Sequence, residues 1–133
     1  MPAAEQSRLV PRSLRNWFVF HFVLDISFAI PLILAPSFTL ALFGWETIDP
    51  TTTRLVGAAL MGIGIESWLA RKRGAETFRE MLNLKLIWSS FAVLGIVLSL
   101  VQGAPPMAWL FLIIFALFFI VWFYYRLRMR NYP

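Results

Sequence analysis

Four runs of this chain are each apolar over the length that a helix needs to cross a lipid bilayer, and that repetition leaves few other folds open. The hydrocarbon slab is about 30 Å thick and a helix rises about 1.5 Å per residue, so one crossing takes roughly 20 mostly apolar residues. The runs lie at about 17–35, 52–70, 80–101 and 107–125 and take up most of the 133 residues. With 59% hydrophobic and only 14% charged residues, a soluble domain of this size lacks the polar groups to cover its surface. The expected fold is all-α: a four-transmembrane-helix bundle at 17–126, between a basic arm at 1–16 and a tail at 127–133. Loops this short leave no room for a soluble catalytic lobe or receptor head.

The punctuation between the runs fits this division. The first run begins at about Trp17, a residue suited to the headgroup level. It is too long for a signal-peptide core, carries Asp25 and lacks a small-residue cleavage pattern, so it reads as retained. Pro36 ends it, and Ser37 to Gly44 is apolar but too short to cross, which predicts a short interfacial helix anchored by Trp45. Asp49 before Pro50 is a helix-start signal, because the carboxylate caps free amides and proline loses nothing at the first position. Arg71 to Arg79 reads as a polar loop, and Gln102 to Pro106 as a tight link in which Gly stops one helix and Pro opens the next.

Charge gives the orientation. Eleven of the twelve Lys and Arg residues fall on one side of the four runs: Arg8, Arg12 and Arg15, the five from Arg71 to Lys85, and Arg126, Arg128 and Arg130. Only Arg54 falls opposite. Basic residues in short loops stay cytoplasmic during insertion, so the expected arrangement is multi-pass in the inner (plasma) membrane with both termini inside. The net charge of +5 is accounted for in this way, and nucleic acid is not an expected partner. The absence of cysteine excludes disulfides, thiol redox chemistry, iron–sulfur clusters and thiolate zinc sites, and one histidine excludes bis-histidine haem ligation within one copy. No metal site is expected, and no cofactor is indicated.

The candidate site is a polar cluster inside the runs: His21 and Asp25 on the first, Glu66 on the second and Lys85 on the third. Counted from the flanking basic residues, His21, Glu66 and Lys85 share one layer below the cytoplasmic boundary, with Asp25 near the midplane. His21 and Asp25 are four residues apart and share a helix face. Isolated charges in hydrocarbon are costly, so these groups are expected to face inward and meet, with Lys85 paired to Glu66 or Asp25. Ser27, Asn83 and Ser89 are the expected supporting groups, with Ser67 and Ser90 nearby, and Pro31 frees the carbonyl of Ser27. A purely structural use, as packing glue between helices, competes evenly with function for most of the cluster. Asp25 stands apart, since its short side chain reaches neither surface.

Two further patterns bear on packing. Ala58, Gly62 and Glu66 recur every four residues, a small-residue stripe suited to close helix contact. The fourth run is rich in aromatics from Trp109 to Tyr125 and has no ionisable group before Arg126, which fits lipid contact with interfacial belts or a docking face for another membrane subunit or a flat hydrophobic ligand. Gly62-Ile63-Gly64 lies within an apolar helix with no preceding strand and is no nucleotide signal.

The segment from Leu42 to Lys72, LFGWETIDPTTTRLVGAALMGIGIESWLARK, resembles small prokaryotic four-helix membrane proteins grouped as DoxX-like. There an LFG turn, an Asp before the second span, an R-L-x-G-A start and a W-L-A-R exit recur. The resemblance implies a four-helix membrane fold and carries over no site residue.

Three functions follow from these features. The first is a membrane protein that binds a small or lipid-like ligand, or a proton, at the polar cluster. The second is a non-catalytic accessory subunit of a larger, energy-transducing membrane complex, docked through its aromatic fourth helix or assembled with copies of itself. The third, an embedded enzyme with Glu66 or Asp25 as general acid or base, has less behind it, because no nucleophile or metal site accompanies the carboxylates.

Overall fold

The computed structural model describes residues 2, 5 and 8–131. From Arg12 onward these form five α-helices and a short 3-10 turn, and the described residues contain no strand. The helices are α1 (Arg12–Leu34), α2 (Pro36–Leu42), α3 (Pro50–Ala70), α4 (Ala75–Val101) and α5 (Ala108–Arg128). The chain divides into two compact units, residues 12–71 and the remainder.

In the first unit, α1 and α3 pack as an antiparallel pair. The buried residues of α1 are Leu14, Phe18, His21, Asp25, Ala29 and Leu32, and those of α3 are Thr53, Gly57, Leu60, Gly64, Ser67 and Ala70. Both sets recur every three or four residues, the period of one helix face. Arginines tie the two ends. Arg15 donates from Nη1 to the carbonyl of Arg71, and Arg54 donates from Nε to the carbonyl of Ile33 at 3.1 Å. Both acceptors lie at helix ends, where carbonyls lack intrahelical partners.

Asp49 caps α3 as expected. Its carboxylate accepts from the amides of Thr51 at 3.1 Å and Thr52 at 3.3 Å and from the Thr52 hydroxyl, with Pro50 at the first turn. The Thr52 hydroxyl, followed by the two amides, holds the carboxyl below its ordinary value of 3.8. α2 also opens on a proline. The hydroxyl of Thr39 is buried against two carbonyls, Ala35 at 2.7 Å and Pro31 at 3.0 Å, and joins α2 to the end of α1. Gly44, at φ +90°, ends it in the left-handed region that favours glycine.

In the second unit, α4 and α5 form a second antiparallel pair around Phe78, Leu82, Lys85, Ser89, Phe118, Trp122 and Tyr125. The tight link between them contains Gly103 at φ +89°. Here the structure corrects the reading of proline as helix opener. Pro105 and Pro106 form a turn whose carbonyls accept from Ala108 and Trp109, and α5 begins only at Ala108.

Two other boundaries differ from expectation. α1 starts at Arg12, inside the basic arm, and α4 starts at Ala75, so Ala75 to Arg79 is helix and not loop. Apolarity marks the stretch suited to hydrocarbon, whereas helical hydrogen bonding continues into the polar flank wherever nothing breaks it.

α1, α4 and α5 are long and apolar enough to cross a membrane. Large apolar side chains stand exposed along them, among them Leu34, Phe91, Val101, Leu117 and Ile120, a surface that belongs in hydrocarbon and not in water. α3 is as long as α5 but carries Arg54, Glu66, three threonines and three glycines.

Candidate functional site

The site with most chemistry lies where α1 meets α3. His21 and Asp25 sit on the buried stripe of α1, 4% and 5% exposed. One helical turn brings His21 Nδ1 to 3.0 Å from Asp25 Oδ2. The distance suits an ion pair, yet the buried Oδ2 has no hydrogen-bond donor directed at it. A buried carboxylate oxygen without a donor is costly, which sets this atom apart from the other buried polar groups of the pair.

Room for the carboxylate comes from α3. A β-carbon on Gly64 would stand 2.9 Å from Asp25 Cβ and 3.5 Å from Oδ2, so the absent side chain of this glycine lets the two helices close around Asp25. One turn further, Ser67 is fully buried and donates to the carbonyl of Ile63 at 2.6 Å. Phe22 and Trp68 flank this region with ring centroids 5.0 Å apart. Among the described residues, no three His, Asp or Glu side chains gather as a metal site would require.

Of the four residues expected to meet, the structure brings His21 and Asp25 together. Glu66 is exposed and falls off the Gly57–Leu60–Gly64–Ser67 face of α3, a correction to its expected inward position. Depth along a helix places a residue along its axis and leaves its direction around the axis open. Lys85 belongs to the second unit, where it is 1% exposed with Nζ 4.9 Å from the centre of the Trp122 ring, a cation–π distance.

The small-residue stripe is corrected in the same way. Ala58 and Gly62 are exposed, and a β-carbon on Gly62 would meet nothing within 4 Å. The close contact is made instead by Gly57 and Gly64, seven residues apart. At Gly57 a β-carbon would stand 2.8 Å from Ile33 Cγ1 and 3.2 Å from the carbonyl oxygen of Ala29.

The expected supporting groups also act elsewhere. Ser27 donates to the carbonyl of Val23 at 2.7 Å, Ser89 to that of Lys85 at 2.7 Å and Ser90 to that of Leu86 at 2.7 Å, so each hydroxyl hydrogen goes to its own helix. Asn83 accepts from Arg126 Nε at 2.6 Å. Gly64 and Trp122 shape these sites without a functional group that the sequence singles out. The seven-residue spacing of Gly57 and Gly64 was the available sign of the first, and the second was hidden among the aromatics of α5. Those aromatics divide: Phe118 and Trp122 stack at 5.5 Å in the buried face, while Trp109, Phe123 and Tyr124 are exposed.

Comparison with family models, curated proteins and solved structures finds no match for this chain.

Proposed function

We propose that this chain is a multi-pass protein of the plasma membrane in which the His21–Asp25 pair receives and releases a proton within the membrane. The observation that carries the reading is the buried Asp25 Oδ2, 3.0 Å from His21 Nδ1 and without a donor. A carboxylate and an imidazole at this distance hold one proton with no net charge, whichever partner carries it. Such an arrangement suits a medium in which an isolated charge is costly. Gly64 keeps the helices close around Asp25, and the exposed Glu66 has no part in the pair.

In this arrangement α3 is a fourth crossing. If α3 stayed on one side, the basic residues at 71–79 and those at 126–130 would fall on the side opposite the arginines of the amino-terminal arm. With α3 crossing, both groups join that arm on the cytoplasmic side, as the positive-inside rule requires. Arg54 then meets the outer boundary, with Asp49 and the α2 helix beside it.

The test is proton movement in liposomes of the reconstituted protein, followed with a trapped pH dye after an imposed pH step. Asp25→Asn and His21→Gln are expected to slow relaxation by about a hundredfold, the lower range for loss of a positioned acid or base. Glu66→Gln is expected to behave as wild type. Protein-mediated flux that is unchanged in Asp25→Asn would leave the pair a purely structural role.

A further inference from the structure

The α4–α5 pair carries a second constellation that the proton reading does not use. Arg126 ends the apolar part of α5, and its Nε–H is donated to Asn83 Oδ1 on α4 at 2.6 Å. Asn83 is neutral, so the bond fixes the guanidinium without cancelling its charge and leaves the Nη donors for another acceptor. The two helices run antiparallel. Arg79, four residues before Asn83 on α4, and Arg130, in the 3-10 turn that follows α5, therefore lie further toward the same polar end. Lys72, Arg73 and Arg128 add to this end, against Glu76 and Glu80, so six basic residues face two acidic ones. Below Arg126 on α5, Phe123, three residues before it, and Tyr124 are exposed, an apolar and aromatic surface of the kind that lines acyl chains and the headgroup boundary.

We infer that Arg126, held by Asn83, binds the phosphate of an anionic phospholipid headgroup at this end of the α4–α5 pair. The chemistry fits on two counts. A guanidinium with a fixed plane meets a phosphodiester with two parallel hydrogen bonds, and the surrounding cations favour an anionic lipid over a zwitterionic one. The apolar surface directly beneath selects a phosphate that carries acyl chains. Asn83 is a positioning residue: it sets the direction of the donors and makes no contact with the lipid in this assignment.

The experiment reconstitutes the full chain in phosphatidylcholine vesicles and measures the association of spin-labelled phosphatidylglycerol relative to spin-labelled phosphatidylcholine. The wild type is expected to prefer phosphatidylglycerol, and Arg126→Gln to lose about fivefold of that preference, the share of one well-placed cation. Asn83→Leu, which leaves the net charge unchanged, is expected to lose a comparable share. Asn83→Asp, which gives the guanidinium a carboxylate partner, is expected to lose at least as much and guards against a folding defect peculiar to the leucine variant. Equal association of both lipids with the inserted wild type overturns the inference. So does an Asn83→Leu protein that matches wild type while Arg128→Gln falls as far as Arg126→Gln, because general charge then suffices. Displacement of the lipid by inorganic phosphate, beyond that by chloride of equal ionic strength, overturns the lipid as the ligand. Failure of the chain to insert into vesicles at all overturns the membrane assignment of α4 and α5 as well, and so is distinct from loss of the headgroup site alone.

Discussion

The α-carbon of Gly64 lies so close to the side chain of Asp25 that a methyl group on the glycine would stand 2.9 Å from Asp25 Cβ. The position of the carboxylate therefore depends on a residue of the neighbouring helix that has no functional group of its own.

Gly64→Ala and Gly62→Ala are expected to change stability in opposite directions. Alanine favours the helix by up to about 1 kcal/mol at either site, and at Gly62 nothing opposes it. At Gly64 the overpacking cost of about 1–3 kcal/mol outweighs that gain, because the listener to the clash is the β-carbon of Asp25 and not a flexible side-chain tip. Thermal unfolding in mild detergent separates the two, and equal midpoints would contradict the packing described for Asp25.

The α3 cap leads to a pH prediction. The Asp49 carboxyl is held below its ordinary value by the Thr52 hydroxyl and by the Thr51 and Thr52 amides. Its folded form thus binds a proton less readily than its unfolded form. The stabilisation is present above the unfolded value and is lost as pH falls through the lower, folded one. Hydrogen exchange at the Thr51 and Thr52 amides should accelerate in that acidic window in the wild type. In Asp49→Asn the amide oxygen caps at every pH, so the acid-dependent step should disappear; in Asp49→Ala exchange should be fast throughout. An acid step that persists in Asp49→Asn would remove Asp49 as its source.

These contrasts mark what the sequence made legible. Asp49 and Pro50 announce a helix start because the signal is local, and His21 with Asp25 could be paired because four residues on one helix fix their relation. Glu66 and the Ala58–Gly62 stripe depart from expectation for a shared reason. Small residues at spacings of four and of seven both make stripes along α3, and only the partner helix decides which one is covered. The early starts of α1 at Arg12 and α4 at Ala75 were illegible because hydropathy reports the membrane's thickness and not the length of the helix.

Trp122 is the expected keystone of the second unit. It is 1% exposed, stacks on Phe118 and lies under the ammonium of Lys85. Trp122→Ala removes a large buried ring and should cost about 3–5 kcal/mol, whereas Trp122→Phe keeps an aromatic face and most of the volume and should cost clearly less. Denaturant titration of helicity in micelles reads both variants, and an alanine variant as stable as the phenylalanine one would show that the ring is not an organising contact.

The four-crossing arrangement makes a prediction that the absence of cysteine renders easy to test. Single cysteines introduced at Thr51, Arg73, Gln102 and Arg128 sample the start of α3, the α3–α4 and α4–α5 links and the end of α5 without interference from native thiols. If α3 crosses, Thr51→Cys and Gln102→Cys should react with a membrane-impermeant maleimide added to intact cells, while Arg73→Cys and Arg128→Cys should react only after permeabilisation. If α3 stays on one side, Thr51→Cys and Arg73→Cys should share the same response. Arg54 sharpens the comparison, because its Nε is held by the Ile33 carbonyl at the end of α1. In the four-crossing arrangement that bond gives the lone basic residue assigned to the outer side a local reason to be there, so Arg54→Leu should loosen the α1–α3 end and leave the labelling pattern unchanged. A reversed pattern in that variant would mean that Arg54 helps to set the orientation, contrary to the dominance of the eleven basic residues opposite it.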